Sequence, residues 1–314
     1  MTTAGTEPTA APTPAPPALT KAQTFVRRLG STVVLWTIVL TAIFSTNVLV
    51  ANHVFLALMM LLAWTGMLEF YGLVEKRGLV CFKTWGVLGG LLLMASTFFY
   101  LTAYLPGIGK AGMASKPGDF ESSVLILFVL GLCVRQLFAK NNTAGILAIS
   151  TTLFGLMYVP WLLNFIQKIN FFPGVDGRYY VLYFILVTKF SDLGAYCVGS
   201  LIGRHKMIPR ISPGKTWEGF AGAIVVSTGV SVAFAHLCHD HLKETTHFHA
   251  VILGVVLSVA AVIGDLIESL FKREAGVKDS GKFFPGIGGI LDLLDSLLFN
   301  APLMYLYLRH VLTH

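Results

Sequence analysis

The chain has 314 residues, of which 55% are apolar and only 12% charged, with a formal net charge of +7 and a mean hydropathy of +0.72. A soluble domain carries about a quarter charged residues, so the composition excludes a soluble globular enzyme and indicates an all-α polytopic membrane protein. The positive balance fits cytoplasmic loops facing anionic headgroups, not nucleic acid.

Residues 1–25 open with a Thr/Ala/Pro-rich stretch (TTAGTEPTAAPTPAPPALT) that cannot build a core and is expected to be disordered. Lys21, Arg27 and Arg28 then precede an apolar run too long for a cleaved signal peptide, with no A-x-A site closing it. A spanning helix needs roughly 20 apolar residues. On that criterion nine spans are expected, near 31–50, 53–73, 84–105, 121–139, 144–166, 180–202, 218–238, 249–271 and 289–309. The first two form one uncharged block, broken at Asn47, Asn52 and His53. With the N-terminus in the cytoplasm, sixteen of the 23 Lys and Arg residues fall on the cytoplasmic side and six opposite, Lys189 lying inside a span. That asymmetry predicts the N-terminus inside and the C-terminus outside. Residues 26–180 read as N-terminal transmembrane helices and 181–314 as a C-terminal catalytic region. The four cysteines are scattered, with no CxxC pair and no disulfide framework.

Ionisable residues inside spans are costly and mark function. Lys189 and Asp192, Asp265 and Glu268, and Asp292 and Asp295 are each spaced i, i+3, so each pair shares one helix face. Three helices pointing carboxylates into one cavity suit a hard divalent cation, and Mg²⁺ in particular is held by one or two carboxylates plus substrate phosphates. Intramembrane carboxylates also mark ion-coupled transporters, which often carry internal repeats; no repeat relates the two halves of this chain.

Two loops have the makings of phosphate sites. In ISPGKTWEGFAG (211–222), Ser212 and Pro213 read as the N-cap and first position of a helix, with Lys215 in its first turn as an anion contact. GKT is not a Walker A loop, because Pro209 falls where that loop needs glycine, and GIGGIL (286–291) lacks the third glycine of a dinucleotide fingerprint. In KREAGVKDSGKFFPGIGG (272–289), Lys272, Arg273, Lys278 and Lys282 supply cations, while glycines permit a tight backbone suited to a triphosphate. HLCHDHLKETTHFH (236–249) holds five histidines and a cysteine on the expected outer face, at spacings that match no standard zinc site.

These stretches together resemble the phosphatidate cytidylyltransferases (CDP-diacylglycerol synthases), loosely over 55–305 and closely over 188–302. SDLGAYCVGSLIGRHKM (191–207), SPGKTWEG (212–219) and GDLIESLFKREAGVKDSGKFFPGIGGILDLLDS (264–296) follow three motifs of that family in order. The resemblance implies cytidylyl transfer from CTP to phosphatidate, giving CDP-diacylglycerol and pyrophosphate, with Mg²⁺ and room for a second cation, in the bacterial cytoplasmic membrane. It implies Asp265, Asp292 and Asp295 as catalytic metal ligands or metal organisers, with Glu268 beside them. Lys272, Arg273, Lys278 and Lys215 would hold phosphates, and Asp279 lies in the same loop. Ser212 and Thr216 would supply hydroxyls or caps, while Asp192 and Tyr196 would line the cavity. Members of the family are often homodimers; no interface is marked in the sequence. Two positions depart from the family signature, P-G-H-G-G followed by D-R-x-D: Ile287 stands for the histidine and Leu293 for the arginine. The aspartates and the Lys-Arg pair remain, so the chain reads as an active divergent member. The alternatives are an inactive relative, or one acting on another lipid phosphate, and an ion-coupled transporter.

Overall fold

The computed structural model describes residues 30, 36, 37, 39–41, 43–102, 117–139, 144–281 and 288–313. The expected tail, 1–25, lies outside them. Much of the expected first span does too, although residues 36, 37, 39–41, 43 and 44 within it are helical. Among the described residues eight helices are long and apolar enough to cross a membrane, so the chain is an integral multi-pass membrane protein.

Helix α1 (Val48–Lys76) starts where Asn47 Oδ1 accepts the backbone N–H groups of Leu49 and Val50, at 3.1 and 3.3 Å. Of the three polar breaks expected in the first apolar block, only Asn47 marks a helix boundary, as the N-cap of α1. Asn52 and His53 sit inside α1, where His53 Nδ1 bonds the Leu49 carbonyl at 2.7 Å. There follow α2 (Lys83–Thr102), α3 (Pro117–Leu137), α4 (Gly145–Leu156) and α5 (Leu162–Asn170). α4 and α5 make one span joined by a π-turn, Met157–Trp161, around Pro160, whose missing N–H interrupts the helical ladder. Next come α6 (Gly177–Ile202), a hairpin of β1 (Lys206–Ile208) and β2 (Ser212–Thr216), α7 (Trp217–Leu237), α8 (His247–Glu274) and α9 (Ile290–Tyr307).

The expected span 218–238 agrees with α7, but the hairpin corrects the expected N-cap at Ser212 and first helical position at Pro213. Lys206 pairs with Thr216 and Ile208 with Ser212, so Ser212 and Pro213 are extended strand residues. The N-cap is Thr216, whose Oγ1 accepts the Gly219 amide at 3.1 Å. A Ser-Pro pair is a permitted helix start, but here a threonine four residues later offers the same hydroxyl beyond a β-paired stretch.

In sequence order α6, α7, α8 and α9 pack each on the next, and α9 also packs on α1, α5 and α6. Lipid is as apolar as the helices, so close approach and polar struts hold such a bundle. At Gly264 an added Cβ would lie 2.6 Å from the Asp295 carbonyl, so only glycine lets α8 and α9 meet there. Ser191 and Ser258 hydroxyls bond at 3.0 Å between α6 and α8, and Asn300 Nδ2 donates to Thr188 Oγ1 at 2.6 Å between α9 and α6.

A buried polar network joins α2, α3 and α5. Glu121 and Lys168, 3% and 5% exposed, form an ion pair. Asn164 Nδ2 donates to Glu121 Oε1 and to Thr97 Oγ1, both at 2.8 Å, and Gln167 Nε2 donates to Asn164 Oδ1 at 2.6 Å. Lys168, one of the six Lys and Arg residues that the charge count puts on the outer side, between the expected spans 144–166 and 180–202, is thus a buried residue of α5. Breaking a buried pair leaves an uncompensated charge. Lys168→Met is therefore expected to lower stability in detergent by on the order of 3 kcal/mol, and Lys168→Met with Glu121→Gln to recover most of it, read by thermal unfolding.

Candidate active site

The antiparallel course of the helices gathers at one end of the bundle the C-terminal ends of α1, α6 and α8, the N-terminal end of α9, and the hairpin. Most of the charged residues expected inside the spans are here, in three linked groups.

The first joins the hairpin to α8. Lys215, at the end of β2, reaches down to Asp265 Oδ2 at 2.7 Å and donates to the Val262 carbonyl at 3.1 Å. Arg273 Nε donates to the Ile211 carbonyl at 3.2 Å and ties the hairpin to α8 a second time.

The second group joins α6 to α9. Lys189 Nζ lies 3.5 Å from Asp192 Oδ2 and donates to the Leu293 carbonyl at 3.0 Å. Ser296 Oγ donates to Asp192 Oδ2 at 3.2 Å. Asp295, 8% exposed, lies in electrostatic reach of Asp265, Asp192 and Lys189. Carboxylates of three helices thus come within electrostatic reach of one another, while Glu268 and Asp292, the i, i+3 partners of Asp265 and Asp295, meet at Lys272 instead.

The third group joins α8, the following loop and α9. Lys272 bridges two acids, Glu268 one helical turn back and Asp292 Oδ1 at 2.6 Å. Glu268 is 0% exposed. Asp292 Oδ2 accepts the Ser280 amide at 3.2 Å, the Ser280 hydroxyl at 2.9 Å and the Gly289 amide at 2.8 Å. Asp292, the third residue of α9, therefore reaches back to the N-cap amide of Gly289, the one half of a capping box that a glycine N-cap permits. Gly288 has φ +116°, a left-handed conformation that glycine adopts without strain.

Several expected residues stand apart. Tyr196 is 74% exposed on the outside of α6. Lys278 and Asp279 are exposed in the loop after α8. Ser212 is half-buried in β2, and Thr216 is buried as a cap. Lys282 and Ile287 lie outside the described residues. The histidine-rich segment is distributed among separate contacts. His241 Nδ1 meets Asp176 at 3.1 Å and stacks on Tyr179, while His249 Nδ1 meets the Tyr307 hydroxyl at 2.8 Å.

One residue of the cluster was not among the expected ones. Glu69, near the C-terminal end of α1, accepts three hydrogen bonds: from the amides of Ile290 at 3.0 Å and Leu291 at 2.8 Å, and from Ser280 Oγ at 3.0 Å. Its signal was present, a lone acid within the 53–73 span.

The donor set suits a hard cation. Asp192, Asp265 and Asp295 lie within electrostatic reach of one another, with Lys189 and Lys215 as near counter-charges, which leaves negative charge in excess. Among the described residues no three Asp, Glu, His or Cys side chains form a cage for an ion. Mg²⁺ does not require one, since it usually keeps several waters and is held by one or two carboxylates and substrate phosphates.

Residues 31–311 match the cytidylyltransferase family. A phosphatidate cytidylyltransferase of Staphylococcus haemolyticus is 32% identical over 243 residues, covering 69% of this chain and 92% of the relative. One of Staphylococcus aureus is 43% identical over 135 residues, 42% of this chain and 50% of the relative. One of Mycobacterium leprae is 39% identical over 152 residues, 48% of this chain and 47% of the relative. The chain thus spans about half the length of the last two and nearly all of the first. With the match running through all eight described spans and the charged cluster, the chain belongs to the cytidylyltransferase family.

Proposed function

We propose that this chain transfers the cytidylyl group of CTP to phosphatidate, giving CDP-diacylglycerol and pyrophosphate, at the charged end of the bundle. The observation that carries this reading is the alternation of cations and carboxylates in one half-buried cluster: Lys215 on Asp265, Lys189 on Asp192, and Lys272 between Glu268 and Asp292. The names of the similar proteins support the choice of nucleotide and lipid.

In the reaction a phosphate oxygen of phosphatidate attacks the α-phosphorus of CTP. The new P–O bond forms as the bond from the α-phosphorus to the bridging oxygen breaks, and pyrophosphate leaves with that electron pair. The protein's part is to hold two anions against each other and to neutralise charge as it moves to the leaving group. Lys215 and Lys272, each now resting on a carboxylate, exchange those partners for phosphate oxygens. Arg273 and Lys278 extend the positive rim toward solvent. Asp265 and Asp295 would hold Mg²⁺, with Asp192 beside them and Asp292 organising the start of α9. Bound there, Mg²⁺ would supply positive charge to the triphosphate and to the departing pyrophosphate. The same reading faces the cluster toward the cytoplasm of a bacterial inner membrane, the side where CTP is found.

The test is pyrophosphate release from purified protein in detergent with CTP, phosphatidate and Mg²⁺. Omitting any one of the three, or adding a chelator, is expected to bring release to background. Release that persists with chelator removes the metal from the reaction. No release from folded protein given all three overturns the assignment.

A further inference from the structure

We infer that Glu69 is a positioning residue of this site: from α1, its carboxylate clamps the first turn of α9 and Ser280, and so fixes where Asp292 and Asp295 stand. The inference rests on the proposed nucleotidyl transfer for its kinetic readout, and on geometry alone for the clamp.

The first N–H groups of any helix lack partners within it. In α9 the N-cap is Gly289, which has no side chain to accept them. Glu69, more than 200 residues earlier in the chain, takes the amides of Ile290 and Leu291, one on each carboxylate oxygen. These are charge-assisted bonds at the positive end of a helix dipole, an arrangement in which a carboxylate is favoured over a neutral acceptor.

The backbone closes tightly over this carboxylate. A Cβ on Gly281 would lie 2.1 Å from Glu69 Oε1, and one on Gly289 would lie 2.3 Å from Glu69 Oε2. Two glycines that the sequence suggests for phosphate are therefore already occupied in admitting Glu69. A chain of contacts then carries its position onward. Ser280 Oγ stands 3.0 Å from Glu69 Oε2 and 2.9 Å from Asp292 Oδ2, one hydroxyl hydrogen between two carboxylates. Asp292 Oδ1 in turn holds Lys272 at 2.6 Å. α9 carries Asp295 one turn further along. A shift of Glu69 would thus move the carboxylate of Asp292, the ammonium of Lys272 and the helix that bears Asp295.

The experiment compares wild type with Glu69→Gln, Glu69→Ala and Glu69→Asp, using monodisperse protein in detergent. Two readouts are taken: hydrogen exchange of the segment holding amides 289–291, and kcat and KM for CTP with phosphatidate. Glu69→Ala is expected to speed exchange at the start of α9 and to lower kcat per folded molecule about 100-fold, with KM for CTP changed by no more than about threefold. Glu69→Gln should show an intermediate loss, and Glu69→Asp partial recovery. In an Asp292→Asn background, Glu69→Gln should add little, because both act through one network. Faster exchange with wild-type kcat would reduce Glu69 to a structural cap and overturn the inference. Unchanged exchange would overturn the clamp itself. A wild type without turnover refutes the proposed reaction instead, and exchange at 289–291 then decides the clamp by itself.

Discussion

Asp295→Asn is expected to lower CTP turnover by about 1000-fold or more while leaving the protein folded. Asparagine keeps the size of the side chain and an oxygen for the Ser296 amide, which Asp295 Oδ1 now accepts at 2.5 Å. What it removes is one negative charge at the most enclosed point of the carboxylate group, where the backbones of α8 and α9 meet at Gly264. Asp265, Asp192 and Lys189 are its charged neighbours there. The three acids outnumber the two lysines beside them, Lys189 and Lys215, and a cation entering the site would offset the negative charge left over. With one acid neutralised, the protein should therefore be no less stable than wild type, and its thermal midpoint should stay the same or rise. The paired outcome separates a site residue from a structural one. Turnover within about threefold of wild type would remove Asp295 from the reaction, and a fall in thermal stability parallel to the loss of turnover would make the residue structural.

The charged cluster was legible in the sequence wherever its residues came as i, i+3 pairs inside apolar runs, because helical geometry alone puts such pairs on one face. Spacing does not say which acid meets a cation and which meets a backbone. Asp292 and Asp295 look equivalent in DLLD, yet Asp292 falls at the third position of α9 and spends its oxygens on Gly289, Ser280 and Lys272. Glu69 went unread although it too is an ionisable residue inside an apolar span. It stands alone in its span, and its partners lie over 200 residues away. The hairpin went unread because SPGKT carries genuine helix-start chemistry, and only the pairing of Lys206 with Thr216 shows that the helix begins later. Leu293, which departs from the family's arginine, has a cation beside it all the same: Lys189, from α6, donates to its carbonyl. A local comparison of motifs could not find that neighbour, which lies 104 residues away.

Lys272→Met is expected to be the most damaging single change in the cluster, and a second substitution shows why. Lys272 is the one cation in contact with Glu268 among the described residues, and Glu268 is 0% exposed. Removing the ammonium leaves two carboxylates facing each other, one of them fully enclosed, at a cost of about 3–5 kcal/mol. The protein should express poorly or unfold early, which by itself says nothing of catalysis. Lys272→Met combined with Glu268→Gln removes one charge of each sign, and its thermal stability should return close to that of wild type. Turnover should not return. If Lys272 swings from its acids to a phosphate of CTP, the double variant remains about 100-fold or more below wild type, because a charge-assisted contact made in the transition state is still missing. Lys272→Arg gives the complementary result. It keeps the charge, so the fold is expected to survive, but a planar fork does not fit where a point charge bridges two acids, and turnover should fall without a matching loss of stability. A double variant that is both stable and fully active would show that Lys272 only balances Glu268, and the phosphate-binding cations of the site would then be Lys215, Arg273 and Lys278.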